Sequence, residues 1–160
     1  MTKFKTYFKD IFSQAGTLLK SEVNYLDEGD DYFNFECAGI TYQCVLIKLE
    51  DNKVILRTFV NALKADVFKD SMYDVYEIMN RFNLLEGGLF KLVAIENEGE
   101  EYMSIALKTI DVVATEELID NNEVRYYHLN LIADMLMYAN VHEIYQAAYF
   151  DQIEEYNEFE

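Results

Sequence analysis

Apolar residues recur along this chain with two different periods, and the switches between them mark its elements. Residues 2–20, TKFKTYFKDIFSQAGTLLK, place Phe4, Phe8, Ile11, Phe12, Ala15, Leu18 and Leu19 at helical spacing, with Lys5 and Lys9 on the opposite face. That pattern predicts an amphipathic helix, which Gly16 either ends or weakens. A basic amphipathic helix can lie on a membrane, but docking on the chain's own sheet is the preferred reading. A polar stretch containing DEGDD follows. It lacks the ligand spacing and distal glutamate of a calcium loop and reads as a solvated turn.

From Tyr32 the period becomes two. In YFNFECAGITYQCVLIKLEDNKVILRTFV, residues Phe33, Phe35 and Cys37 fall on one face and Tyr32, Asn34 and Glu36 on the other. Ala38-Gly39 and Asp51-Asn52 supply turns, so three antiparallel strands in a meander are predicted. The run CVLI is apolar on both faces, as expected of a central strand.

The helical period returns over 66–85. Asp66 can cap this segment, and Phe68, Met72, Val75, Met79 and Phe82 form one stripe. Tyr76, Asn80 and Asn83 run beside it, where the asparagine amides can bond to neighbouring backbone or across an interface. Gly87-Gly88 can adopt positive φ and turn the chain into a strand. Residues 88–112 then read as a second hairpin with a polar ENEGEE turn, Met103, Ile105 and Leu107 alternating on one face.

Thr115 followed by Glu116 and Glu117 is an N-cap with acids in the first turn. From about Val124 to Phe150 the pattern is helical, about 40 Å if unbroken, with a break expected near Asn140. One apolar stripe holds Leu129, Ile132, Ala133, Leu136, Ala139 and Ala147; a second holds Leu131, Met135, Tyr138, His142, Tyr145 and Tyr149. A helix covering one face of a sheet needs only one stripe, and Tyr and Met favour interfaces. The second stripe therefore belongs either to the core or to an interface.

The element order α-βββ-α-ββ-α predicts an α+β fold, a single domain over 1–160. It has an antiparallel sheet of about five strands with helices largely on one face, and a long acidic helical region from about 115. At 160 residues and 51% apolar content, a sizeable core is affordable, with about 70% of the unfolded surface buried. Thirty acids against thirteen bases give a net charge of −17. The 13 Tyr and 11 Phe exclude a disordered acidic chain. The charge is uneven: residues 1–20 carry +3, whereas 111–160 carry twelve acids and only Arg125 as a base. Such a surface opposes binding to nucleic acid and anionic membranes and favours a basic or amphipathic protein partner. No apolar run is long enough to span a membrane, no cleavable leader is visible, and Cys37 and Cys44 read as buried reduced thiols. The expected setting is cytoplasmic.

Candidate chemistry is sparse. His128 and His142 stand fourteen residues apart on one helix, without a partner signature for nucleophilic catalysis. His142-Glu143 lacks a second histidine at helical spacing, so neither a zinc site nor any other metal or cofactor is expected. Gly87-Gly88 precedes a strand, which is the wrong context for a phosphate loop. Each histidine reads as a satisfied helix residue, and the chain as a non-enzyme.

The element order and the junction MNRFNLLEGGLF, with Met79, Asn80, Asn83, Gly88 and Phe90, resemble the YbjN-like family of bacterial proteins, whose fold is that of type III secretion chaperones. The resemblance implies a small acidic cytoplasmic protein, commonly dimeric, that binds another protein. It also implies dimerisation through the second helix and nearby strand, which would use Phe68, Met72, Tyr76 and Phe90. With Asn80 and the second stripe of the last helix, these are the candidate dimer or partner residues. The expected function is a chaperone- or adaptor-like module holding a partner segment by strand addition and side-chain pockets. A regulatory or sensory domain in bacterial signalling is the alternative, and an acidic DNA mimic a lesser one.

Overall fold

The computed structural model describes residues 1–64, 79–80, 83–84, 90–96 and 103–157, with side chains treated for 1–60, 79–80, 83–84, 90–94 and 106–139. Helix α1 spans Thr2–Leu18. The strands are β1 Val23–Glu28, β2 Tyr32–Cys37, β3 Ile40–Lys48, β4 Lys53–Lys64, β5 Phe90–Glu96, β6 Met103–Thr109 and β7 Val112–Thr115. A short helix α2, Glu116–Ile119, leads into the long α3, Asn122–Asn157. Between β4 and β5, residues 79–80 and 83–84 are helical; most of the predicted second helix, including Phe68, Met72 and Tyr76, lies outside the described residues.

All strand pairs are antiparallel, in the order β1-β2-β3-β4-β6-β5, with β7 also paired to β4. The 12-residue β4 carries β6 along its C-terminal part and β7 along its N-terminal part. The register steps from Phe59↔Lys108 to Leu56↔Val112, three residues on β4 against four on the other chain segment. Residues 103–115 therefore behave as one strand interrupted by a bulge. β6 also separates β4 from β5, which run in the same direction.

The α+β class, the antiparallel sheet and the meander follow the hydrophobic pattern. Ala38 and Gly39 have φ of 53° and 79°, Asp51 and Asn52 of 58° and 57°. Two successive positive φ values define the two-residue turns whose twist matches paired strands. The strand count differs from about five because β1 and the separate β7 were not legible. In β1, Tyr25 packs inward while Asn24, Leu26, Asp27 and Glu28 are exposed, so an acidic edge strand resembles a loop in one dimension.

One face of the sheet holds the core. Phe33, Phe35, Tyr42, Cys44, Leu46, Leu56, Thr58 and Val60 are at most 2% exposed. Helix α1 lays Phe8, Ile11 and Phe12 on this face, with the Phe12 ring 4.6 Å from Phe35 and 5.9 Å from Phe33. Docking on the chain's own sheet is thus the outcome for α1. Lys5 and Lys9 pair with Glu28, and Lys9 also caps the Tyr25 ring at 4.5 Å. Gly16 neither ends nor merely weakens the helix. A Cβ there would stand 2.7 Å from both the Ser21 carbonyl oxygen and Val23 Cγ2, so the chain can turn back against the helix only at a glycine.

Helix α3 contributes Ile132, Met135, Leu136 and Ala139 to the same core. Thr115 caps α2 as the sequence predicts, its side chain accepting from the Leu118 N–H. Asn121 caps α3 by accepting from the Glu123 and Val124 N–H groups. The break expected near Asn140 is absent: 36 residues run without interruption, about 54 Å. Asn within a helix costs only about 0.7 kcal/mol relative to Ala, and no Pro or Gly occurs from 122 to 157.

Candidate protein-binding face

Strand alternation puts a second set of side chains on the sheet face opposite the core. Register aligns Tyr32, Val45 and Arg57 across β2, β3 and β4, and Ile47, Ile55 and Val113 across β3, β4 and β7. A third row is Gln43, Phe59, Lys108 and Lys91. Val45, Ile47, Ile55 and Phe59 are half-buried, while Tyr32 and Val113 are 37% and 47% exposed. Among the described side chains of this face, Ala106 alone is buried. The CVLI run thus has the sequence of a strand covered on both faces. Cys44 and Leu46 are buried, whereas Val45 and Ile47 keep part of their surface in solvent.

At the centre of this face sits a charged cluster. Arg57 donates to Asp111 through Nε at 3.0 Å and a terminal guanidinium nitrogen at 2.8 Å, the two-pronged geometry that suits guanidinium and carboxylate. Lys108 lies 3.4 Å from the same carboxylate. The Arg57 hydrogen bond, with lesser help from Lys108, holds the Asp111 carboxyl below its ordinary value. The bulge between β6 and β7 positions Asp111 for this, since an extra residue re-aims the neighbouring side chains. From β4 to β5 the described side chains of this face include Lys53, Arg57, Lys91 and Lys108 against Asp111. A chain of net charge −17 therefore carries a locally cationic sheet face.

Both sheet edges are blunted. Along β5, Asn83 imitates a neighbouring strand: its amide nitrogen donates to the Leu92 carbonyl at 3.0 Å, and its amide oxygen accepts from the Leu92 N–H at 2.8 Å. One side chain so occupies both outward backbone groups of Leu92. At the other edge, β1 is bulged between Tyr25 and Glu28 and exposes Asp27 and Glu28. Bulges and charges are the usual devices against edge pairing. The expected strand addition thus meets a capped edge on one side and an acidic, irregular edge on the other.

The candidate residues divide. Phe90 and Met135 are each 1% exposed within the chain's own core, which leaves them no surface for a partner; they are core positions. Leu131 is half-buried against the core, and Tyr138 is 46% exposed. Asn80 is exposed beside buried Met79. The side chains of His142, Tyr145 and Tyr149 lie outside the described residues, although their backbone is helical. Exposed Tyr126, Tyr127 and Met137 extend the solvent side of α3 near Tyr138. Sequence reasoning missed Arg57, Asp111 and Lys108, whose only one-dimensional signal was charge within apolar strands.

His128 is 3% exposed, and its Nδ1 lies 2.8 Å from the Tyr7 hydroxyl. A backbone hydrogen bond at Val113 engages the ring as well, yet burial dominates and lowers its pKa below 6.5. Neutral His128 ties α3 to α1 and β7 as a structural residue. Cys37 and Cys44 are free and buried. Burial pushes the Cys44 thiol up to about 12, the opposite of an activated nucleophile. Among the described residues, no group of three or more His, Cys, Asp or Glu side chains is placed to hold a metal ion. Within the same residues, no helix is long and apolar enough to cross a membrane.

No family model and no curated protein matches this chain. Among solved structures it is similar to the crystal structure of YbjN from E. coli, described as a candidate transcription regulator. The identity is 13%, over 84% of this chain and 92% of that one, with a TM-score of 0.37.

Proposed function

We propose that this chain is a small, acidic, non-enzymatic protein-binding module of chaperone or adaptor type, acting in the cytoplasm. The observation that carries this reading is the half-exposed second face of the sheet, where apolar Val45, Ile47, Ile55 and Phe59 surround the Arg57–Asp111–Lys108 cluster. A rigid, mixed apolar and charged face suits side-chain docking. The blunted edges favour docking on the face over strand addition. The two reduced, buried thiols fit a cytoplasmic setting.

The partner in this reading is an amphipathic segment. Net charge alone calls for a basic partner, but this face has the opposite local sign. Contacts are governed by charges within a Debye length, about 8 Å at physiological salt. An acidic-apolar segment therefore fits the face, while the acidic remainder excludes nucleic acid.

The reading is tested by capturing partners from host lysate with the tagged full chain and with Phe59→Glu, using Leu18→Glu on exposed α1 as control. Expected is a stoichiometric partner retained by the control and lost by Phe59→Glu with an unchanged circular dichroism spectrum. A folded Phe59→Glu protein that keeps the partner would remove this face from the interaction.

A further inference from the structure

Helix α3 turns Ile132, Met135, Leu136 and Ala139 into the core, and its opposite side repeats a motif. Glu123 precedes Tyr127 by four residues, and Asp134 precedes Tyr138 by four. The two pairs stand eleven residues apart. That is three helical turns plus about 20°, so they share one face, about 17 Å apart along the axis. All four side chains are exposed, Tyr127 to 64% and Tyr138 to 46%. Between the pairs lie half-buried Leu131 and Met137, the latter 47% exposed. Neither carboxylate meets a base among the described residues. Arg125, the one base of this helix, is turned to Asp10 instead.

The fold itself shows what an acid beside a tyrosine accepts. Lys9 lies 4.5 Å from the centre of the Tyr25 ring and 2.7 Å from Glu28. Arg125 lies 5.5 Å from the centre of the Tyr7 ring and pairs with Asp10. In both places one cation satisfies a carboxylate and a tyrosine face together, the ring quadrupole adding to the ion pair. The outer stripe of α3 offers the same combination twice, open to solvent.

We propose that this stripe docks a basic amphipathic helix of another protein. Its Lys or Arg residues, eleven apart, sit over the two acid–tyrosine pairs, and its apolar residues between them sit over Leu131 and Met137. Helices lying side by side share one rise per residue, so an eleven-residue spacing on one matches the same spacing on the other. The net charge of −17 draws such a segment in. This goes beyond the sheet-face reading. The stripe points away from the sheet, on the far side of α3 from Val45 and Phe59, and has the opposite local sign. One chain can therefore hold an acidic-apolar segment and a basic one at once.

The test uses the full chain and two fluorescein-labelled, helix-forming peptides of identical composition. The matched peptide carries arginines eleven residues apart with leucines between them on the same face. The control carries them nine apart, on opposite sides of its helix. Fluorescence anisotropy should show the matched peptide binding about tenfold more tightly than the control, with the difference shrinking at high salt. Tyr127→Ala with Tyr138→Ala, and separately Glu123→Gln with Asp134→Asn, should each remove that preference, and Phe59→Glu should leave it unchanged. Equal binding of the two peptides reduces the effect to net charge and overturns the proposal, as does the absence of saturable binding. Loss of the preference in a folded Phe59→Glu protein moves the peptide to the sheet face and also overturns it. A wild-type dimer that Tyr127→Ala with Tyr138→Ala converts to monomer gives the stripe to a second copy, with the same consequence. The peptide comparison on the wild type decides even if a variant misfolds. Failure here leaves the sheet-face reading standing, because partner loss in Phe59→Glu tests that reading separately.

Discussion

The two faces of the sheet use alternate residues of the same strands, yet they solve different problems. On the first, Phe35 stacks on Tyr42 at 4.7 Å with 6° between ring planes and meets Phe12 at 4.6 Å; all three residues are at most 1% exposed. On the second, one residue along each strand, Val45, Arg57 and Phe59 are half-exposed. Along β3 the first face carries Ile40, Tyr42, Cys44 and Leu46, whereas the second carries Val45 and Ile47 beside Thr41 and Gln43, so the second face is less apolar without being polar. Coverage separates them further: among the described elements, α1 and the first half of α3 lie on the first face. A partly apolar face that stays half-exposed while the described helices cover the other is a candidate interaction surface.

The sharpest way to break this contrast is to truncate a residue on each face. Phe35→Ala should lower stability by about 3–5 kcal/mol, because it leaves a cavity among rings that cannot collapse; Phe59→Ala should cost well under half as much. Urea unfolding measures both, and equal losses would show that the second face is also core.

Tyr7→Phe should cost about 1–3 kcal/mol by leaving the buried His128 Nδ1 without its hydroxyl partner. The pH dependence has a definite sign. His128 has a folded pKa below its ordinary 6.5, so the unfolded chain takes up the proton first. This contribution to stability is complete above 6.5 and is lost as pH falls through the folded value. Thermal melts from pH 7.5 to 5 should show a decline that His128→Gln reduces.

Asn83→Leu should cost about 1–2 kcal/mol and uncover the backbone of Leu92. Faster, concentration-dependent aggregation, followed by light scattering, would mark the exposed β5 edge; stability loss without aggregation would limit Asn83 to a packing role.

Arg57→Met should be the mildest change, within about 1 kcal/mol, because this ion pair is partly solvated and screened. High salt should narrow the difference between variant and wild type. A larger, salt-independent loss would mean that the cluster supports the fold rather than marking the second face.

Local signals made much of this fold legible. Ala38-Gly39 and Asp51-Asn52 specified the hairpin turns, alternation specified β2 through β4, and Thr115 announced its own capped helix. The asparagine-rich junction was readable as a polar flank able to bond backbone, and Asn83 does so. The second stripe of α3 was only partly separable: Met135 is core and Tyr138 is exposed, although both fit one four-three spacing. Helical periodicity gives an angular position, and neighbouring elements decide whether that angle is covered.

The α+β class, the meander and the core-facing residues of α1 and the sheet are legible in one dimension, because periodicity and turn chemistry act over a few residues. That β1 is a strand, that Phe90 belongs to the core, and that Arg57 meets Asp111 from 54 residues away emerge only in the folded chain. Those outcomes depend on register and coverage across distant segments, to which local spacing is blind.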